Sequence, residues 1–349
     1  MHKNEIAVAV LDIKGVGNGG PRYGREVTKY FMRFHKNIKI IEPKKLPLIN
    51  PFLSENVGLM LKNYLGYKVI HNMQGMRFHP LLINSDVKFI STAYEFQIPL
   101  YNDWDKYTIT NNHIKDSLYK LLYVIPSVKL ELNSDYLIVI SSQTKEEAIK
   151  LGFAKNKIFV TNLGIDNRFL KPPKKMIKRS FKVGYIGTLQ YRKNVKFLIN
   201  AFKCSLDKNI SLEIFGKGPD YANLENLSRD DPRIKLNGFC AEKEIVNTYD
   251  SFDVFAFPSF YEGFGLEIFE AQSRGLPVII YKYGKIPKEV RKYCLEAKTP
   301  EHMAQIIENI KENGYNEKLK KKATGYARSF TWEKCAKETL EVYKKVLEK

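Results

Sequence analysis

The run from Asp253 to Tyr281, DVFAFPSFYEGFGLEIFEAQSRGLPVIIY, constrains the fold more than any other stretch of the chain. Asp253–Phe257 is a short apolar run closed by Pro258 and Ser259, the pattern of a buried strand reaching its end. Gly263-Phe264-Gly265 is a turn that opens a helix. Gly275 and Pro277 end that helix before a second apolar run, Val278–Tyr281. Strand, glycine loop, helix, strand is a βαβ unit, which requires a parallel sheet with a helical cover. In such sheets ligands bind outside the carboxyl ends of the strands. Glycines at 263 and 265 let a ligand approach the backbone without a Cβ in the way. The free N–H groups of a helix start suit an anion such as a phosphate. Glu262 lies in the loop and Glu270 one to two turns into the helix, so both are candidates to face one crevice. The plainer alternative is that they only favour the helix dipole, with Glu270 pairing Arg274 at i,i+4.

The same layout recurs along the chain. Ile6–Leu11 reads as a buried first strand, followed by Gly15, Gly17, Gly19 and Gly20. A helical pattern then places Tyr23, Val27, Tyr30, Phe31 and Phe34 on one face, with Arg22 and Arg25 at its start meeting either a phosphate or solvent. Further strands are expected at Lys68–Asn72, Val87–Thr92, Leu137–Ile140 and Ile158–Val160. In the second half they are expected at Lys182–Ile186, Ser211–Phe215 and Ile234–Gly238. After Lys182–Ile186 comes Gly187-Thr-Leu-Gln-Tyr-Arg192-Lys193-Asn194, leading into a helix. A helix dipole alone disfavours two cations at that end, so Arg192 and Lys193 call for an anion to offset them.

At 349 residues the chain fits two domains of ordinary size. The basic, proline-containing stretch 171–180 reads as the linker between residues 1–170 and 181–330, with residues 331–349 as a terminal helix. Hydrophobic residues make up 44%, enough for packed cores, which excludes general disorder. The net charge of +19 suits phosphate-bearing ligands, an anionic membrane surface or simple solubility. No nucleic-acid-binding motif accompanies it, so nucleic acid is not an expected partner. Cys204, Cys240, Cys294 and Cys335 lie far apart without metal-type spacing and read as reduced. The absence of a membrane-spanning apolar run or a signal-type start leads to the expectation of a cytoplasmic protein, peripheral on the inner face of the membrane if it meets lipid. The segment 115–129, mixing lysines with aromatic residues, suits either a lipid surface or a core helix.

The opening run closely resembles the signature of retaining GT-B glycosyltransferases of the family-four type, Pro-Ser-x-x-Glu-Gly-Phe-Gly-x-x-x-x-Glu-Ala followed by Gly-x-Pro-Val. Pro258, Ser259, Glu262, Gly263, Phe264, Gly265, Glu270, Ala271, Gly275, Pro277 and Val278 all match. The run from Gly187 resembles the family's Gly-Thr-Leu-x-x-Arg-Lys-Asn motif, with Thr188 where some members carry Arg. Asn162-Leu-Gly-Ile-Asp166 resembles the segment that precedes the interdomain linker. Gly19-Gly20 matches the glycine pair of the family's first loop, and Gly216-Lys-Gly218-Pro matches a loop beside the nucleotide. Tyr94-Glu95 stands where many members have His-Asp, the His usually contacting the transferred sugar. His71, at the end of the preceding strand, is the candidate substitute or a packed structural residue.

The resemblance implies an α/β protein of GT-B architecture. Two Rossmann-like parallel-sheet domains would face each other across a cleft, with the C-terminal helix crossing back to the first. It implies a retaining transferase moving a hexose from a UDP- or GDP-sugar to a glycan or lipid-linked acceptor. Arg192, Lys193 and the amides of Gly263–Gly265 would hold the donor diphosphate, Glu270 the ribose hydroxyls and Glu262 the donor sugar. No metal or other cofactor is expected, because cationic side chains already cover the phosphates. The same fold also hosts nucleotide-sugar epimerases, phosphorylase-like enzymes and non-catalytic basic binding proteins.

Overall fold

The computed structural model describes residues 5–10, 20–35, 37–42, 64, 66–73, 86–96, 117, 125–173 and 180–348. These fall into two compact units.

The first unit is built on six strands: β1 (Ile6–Ala9), β2 (Ile38–Ile41), β3 (Val69–Asn72), β4 (Lys88–Ala93), β5 (Tyr136–Val139) and β6 (Ile158–Val160). They pair in the order β2-β1-β3-β4-β5-β6, every pair parallel. Every residue of β3 and β5 is buried, as expected of strands covered on both faces. β2 carries no strand signal strong enough to read from sequence. Its Ile-Lys-Ile-Ile run buries only Ile41, because it sits at a sheet edge. Helix α1 (Gly20–Phe34) and the C-terminal helix Trp332–Leu347 pack together in this unit. Tyr23 meets Trp332 at 6.4 Å, and Phe31 meets Tyr343 at 5.9 Å. The chain from Thr331 onward thus returns to the first unit, as the resemblance implied.

The second unit, Ile165–Phe330, holds β7 (Phe181–Ile186), β8 (Ile210–Phe215), β9 (Ile234–Leu236), β10 (Val254–Phe257), β11 (Val278–Tyr281) and β12 (Leu295–Ala297). Their order is β12-β11-β10-β7-β8-β9, again all parallel. The winding reverses between β7 and β10, which makes that pair the topological switch point. The loop after β7 leads into α2 (Val195–Cys204), and the loop after β10 leads into α3 (Leu266–Ser273).

The second unit begins at Ile165, upstream of the 171–180 stretch expected as linker. The cause is Arg274. It makes a bidentate pair with Asp250, at 2.7 and 2.8 Å, and also donates to the carbonyls of Phe169 and Lys171. Ile165 N–H donates to the Phe330 carbonyl at 2.9 Å, fixing the same segment at its other end. Residues 174–179, the loop Gly15–Gly19 and 97–104 lie outside the described residues. So does most of 115–129; its described end opens the helix Ile125–Leu132, where Val128 is packed in the core of the first unit. Among the described residues no helix is long and apolar enough to cross a membrane.

Candidate active site

The two loops at the switch point are stitched together by their backbones. Phe260 N–H donates to the Arg192 carbonyl at 2.8 Å, and Asn194 Nδ2 donates to the Pro258 carbonyl at 3.1 Å. Asn194 adopts the left-handed conformation, φ 53°, which Asn tolerates better than most residues. Arg192 NH1 reaches the Tyr261 carbonyl at 3.2 Å. A third segment joins through Lys285, whose N–H donates to the Phe260 carbonyl and whose carbonyl accepts from Glu262 N–H. Arg192 and Lys193, distant in sequence from Glu262, are thereby brought to it.

Lys193 Nζ lies 2.8 Å from Glu262 Oε1 and 3.6 Å from Glu267 Oε1. Arg192 NH1 lies 3.5 Å from Glu262 Oε2. Beneath the ammonium is the Phe257 ring, 4.6 Å to its centroid, which adds a cation–π contact. The Lys193 and Glu262 side chains are only 4% and 6% exposed, so the pair sits in a poorly screened environment. Burial pushes the Glu262 carboxyl up, but Lys193 and Arg192 outweigh it and hold the group below its ordinary value. Glu262 is an anion at neutral pH.

Glu270 lies buried on α3, and its Oε2 accepts from Tyr249 Oη at 3.1 Å. The i,i+4 pairing with Arg274 does not form, because Arg274 is committed to Asp250. Gly265 starts α3 with φ 93°, a conformation that a side chain would strain. The Phe264 ring turns into an aromatic cluster with Phe269 and Phe330, at 5.6 and 6.4 Å, and is 3% exposed. Of Phe264, then, the backbone and not the ring is left for a ligand.

Gly216 and Gly218 have a packing role that sequence reading missed. A Cβ on Gly216 would lie 1.9 Å from the Gly187 carbonyl oxygen, and one on Gly218 2.1 Å from that of Leu189. The loop after β8 therefore rests directly on the loop after β7. Thr188 is exposed at its tip.

In the first unit, Gly20 begins α1, Arg22 is buried, and Arg25 pairs with Glu26 at 3.0 Å, so neither arginine is simply solvated. Gly19 falls outside the described residues. Glu95 is exposed; Tyr94 donates to the Met73 carbonyl and stacks edge-on against Tyr23 at 5.8 Å. His71 is fully buried, its Nδ1 2.6 Å from Tyr343 Oη and its Nε2 2.7 Å from Thr92 Oγ1. Both ring nitrogens are occupied and burial lowers its pKa to about 3, so His71 is a neutral packing residue.

Three contributors were not singled out from sequence: Glu267, Tyr249 and Phe257. Glu267 carried a readable signal, an acid in the first turn of a helix. Tyr249 and Phe257 are ordinary core residues until the fold brings them under charged groups. Among the described residues no group of three or more His, Cys, Asp or Glu is placed to hold a metal ion.

Two doubly wound parallel sheets, the second with charged side chains at its switch point, define the GT-B class, and solved structures match it end to end. Sucrose-phosphate synthase from Thermosynechococcus elongatus superposes over 98% of this chain and 99% of its own, with TM-score 0.75 at 17% identity. Anabaena Alr3699/HepE, solved with UDP and glucose, superposes over 97% and 99%, with TM-score 0.63 at 13% identity. The family model for glycosyl transferases group 1 matches residues 166–348, more than half of the chain, and the protein belongs to that family. Among curated relatives, the O-antigen chain mannosyltransferase B of Escherichia coli is 26% identical over 278 residues, 73% of this chain and 72% of the relative. The uncharacterized glycosyltransferase MJ1607 of Methanocaldococcus jannaschii is 30% identical over 174 residues, 47% of this chain and 45% of the relative.

Proposed function

We propose that the protein is a retaining glycosyltransferase that moves a hexose from a nucleoside diphosphate sugar to a glycan or lipid-linked acceptor without a metal ion. The observation that carries this reading is Lys193, whose buried ammonium lies 2.8 Å from Glu262 at the switch point, with Arg192 alongside. Cations for a diphosphate and a carboxylate for sugar hydroxyls stand within one side-chain length of each other. The name of the Escherichia coli relative, a mannosyltransferase, and the UDP and glucose of the Anabaena structure support the donor class.

In the reaction, the bond from the sugar's anomeric carbon to the β-phosphate oxygen breaks and its electron pair stays on that oxygen. Arg192, Lys193 and the first amides of α3 stabilise the charge that develops there, in place before the step begins. Glu262 holds donor hydroxyls and favours the cationic transition state. Glu270, oriented by Tyr249, accepts from the ribose hydroxyls. The acceptor oxygen bonds to the anomeric carbon on the face the diphosphate leaves, and its proton passes to the departing phosphate. A lipid-linked acceptor would bring this +19 chain to the cytoplasmic membrane surface, which flotation with anionic liposomes tests.

The test is nucleoside diphosphate release from UDP- and GDP-hexoses across glycan and lipid-linked acceptors, with the product's anomeric configuration read by NMR and EDTA present throughout. Transfer with retention, reduced by about a hundredfold or more in Glu262→Ala, is expected. Isomerised sugar without an acceptor, or an inverted product, overturns the reading.

A further inference from the structure

Glu267 is not needed to grip a sugar or a ribose, yet its carboxylate is aimed at the cation that would grip the diphosphate. Its Oε1 lies 3.6 Å from Lys193 Nζ, a longer contact than that of Glu262 at 2.8 Å. The Glu267 side chain is 28% exposed where that of Lys193 is 4%, so this carboxylate reaches solvent while touching the buried ammonium. Glu267 lies in the first turn of α3, its carbonyl oxygen 3.5 Å from Tyr249 Oη, whose closer partner is Glu270. An acid there favours the helix dipole. The same charge opposes any anion approaching that helix end.

We propose that Glu267 is a specificity-determining residue that sets the site against the nucleoside diphosphate product relative to the nucleoside diphosphate sugar donor. This rests on the function proposed above. The two ligands differ in charge: a diphosphate esterified at both ends carries two negative charges. A free terminal phosphate, with a second pKa near 6, brings the product close to three at neutral pH. A fixed carboxylate a few ångströms away repels the product more than the donor and competes with it for Lys193. Glu262 works in the same direction, since after transfer no sugar hydroxyls occupy it and its hold on Lys193 is restored. Product leaves more readily than its phosphate contacts alone would allow.

The experiment compares wild type, Glu267→Gln and Glu267→Asp in the full chain. It measures the donor KM, the inhibition constants of UDP and GDP, and their direct binding by calorimetry, at about pH 7.5 and about pH 5.5. In Glu267→Gln the inhibition constant of the matching nucleoside diphosphate should fall about tenfold at the higher pH, while the donor KM falls about threefold or less. The gap should narrow at the lower pH, where the terminal phosphate has lost charge, and Glu267→Asp should keep the wild-type ratio. Equal falls in both constants, or an unchanged or raised inhibition constant, overturn the assignment. If wild type binds neither UDP nor GDP in the calorimeter, the function proposed above fails, and this inference fails with it.

Discussion

Lys193 and Glu262, 69 positions apart, form a buried ion pair at 2.8 Å, and each member has a further charged neighbour. Removing Glu262 leaves Lys193 its 3.6 Å contact to Glu267, and removing Lys193 leaves Glu262 its 3.5 Å contact to Arg192. Glu262→Gln and Lys193→Met should therefore each destabilise by less than the about 3–5 kcal/mol of a wholly unpartnered buried charge. The double variant should show about 1–3 kcal/mol of coupling in a denaturation cycle. Additive losses would mean the pair is not formed in solution. Both single variants should nonetheless lose about a hundredfold or more in transfer, separating the pair's small stability role from its chemistry.

The acid sensitivity of the first unit is expected to centre on His71. Its folded pKa of about 3 lies below the unfolded value of 6.5, so the unfolded chain binds the extra proton between those two values. Its contribution is intact above about pH 6.5 and is lost as pH falls toward 3, at about 1.4 kcal/mol per pH unit. Glu262 is shifted in the same direction, by its cationic neighbours and against its burial. Held below its ordinary value of 4.5, it contributes fully above that value, and the contribution is lost as pH falls from there through its lowered pKa. Thermal unfolding against pH should show a shallower acid slope in His71→Gln than in wild type. Parallel slopes would mean His71 is not buried neutral.

How far the sequence reaches depends on whether a feature is local. The βαβ unit of β10, α3 and β11 was legible because its strand ends, glycine turn and helix stop lie within one continuous stretch. The pairing of Arg192 and Lys193 with Glu262 was not. Sequence placed the cations on a diphosphate and Glu262 on a sugar, whereas the fold sets all three in contact through loops stitched at Phe260 and Asn194. Edge strands β2 and β12 escaped because half-exposed strands carry weak patterning. The upstream start of the second unit escaped because Arg274, which fixes it, lies about a hundred residues away from Phe169.

Gly216 and Gly238 offer a paired test of the β8 loop. Alanine at 216 drives a Cβ to 1.9 Å from the Gly187 carbonyl oxygen, so the two loops must separate. A loss of about 1–3 kcal/mol is expected, with a raised donor KM because the loop carrying Arg192 and Lys193 is displaced. Gly238 has φ 68° and open space around it, so alanine there should cost only about 1–2 kcal/mol of backbone strain. Its donor KM should stay near wild type. Equal KM values in the two variants would show that the contact does not position the site.

Arg274 and Asp250 are each 1% exposed in their side chains and joined by two hydrogen bonds. Arg274→Met leaves Asp250 a buried charge without that fork, and also frees the carbonyls of Phe169 and Lys171. A loss of about 3–5 kcal/mol is expected on chemical denaturation. Lysine at 274 should recover only part of it, since a single ammonium cannot reproduce the bidentate geometry. Full recovery with lysine would reduce the pair to simple charge balance.

Tyr249 tests whether Glu270 works as a binding group, as its place on α3 suggests. The hydroxyl donates to Glu270 Oε2 at 3.1 Å while the ring packs edge-on against Phe169 at 5.7 Å. Tyr249→Phe keeps that packing and deletes only the donor. With that hydrogen bond to Glu270 gone, about 1–2 kcal/mol of ribose orientation should be lost, which is about a fivefold to thirtyfold rise in donor KM. The loss falls on ground state and transition state alike, because the ribose takes no part in bond breaking, so kcat should change little. The affinity for the nucleoside diphosphate, which carries the same ribose, should weaken by the same factor. A fall in kcat with KM unchanged would place Glu270 at the reacting centre instead.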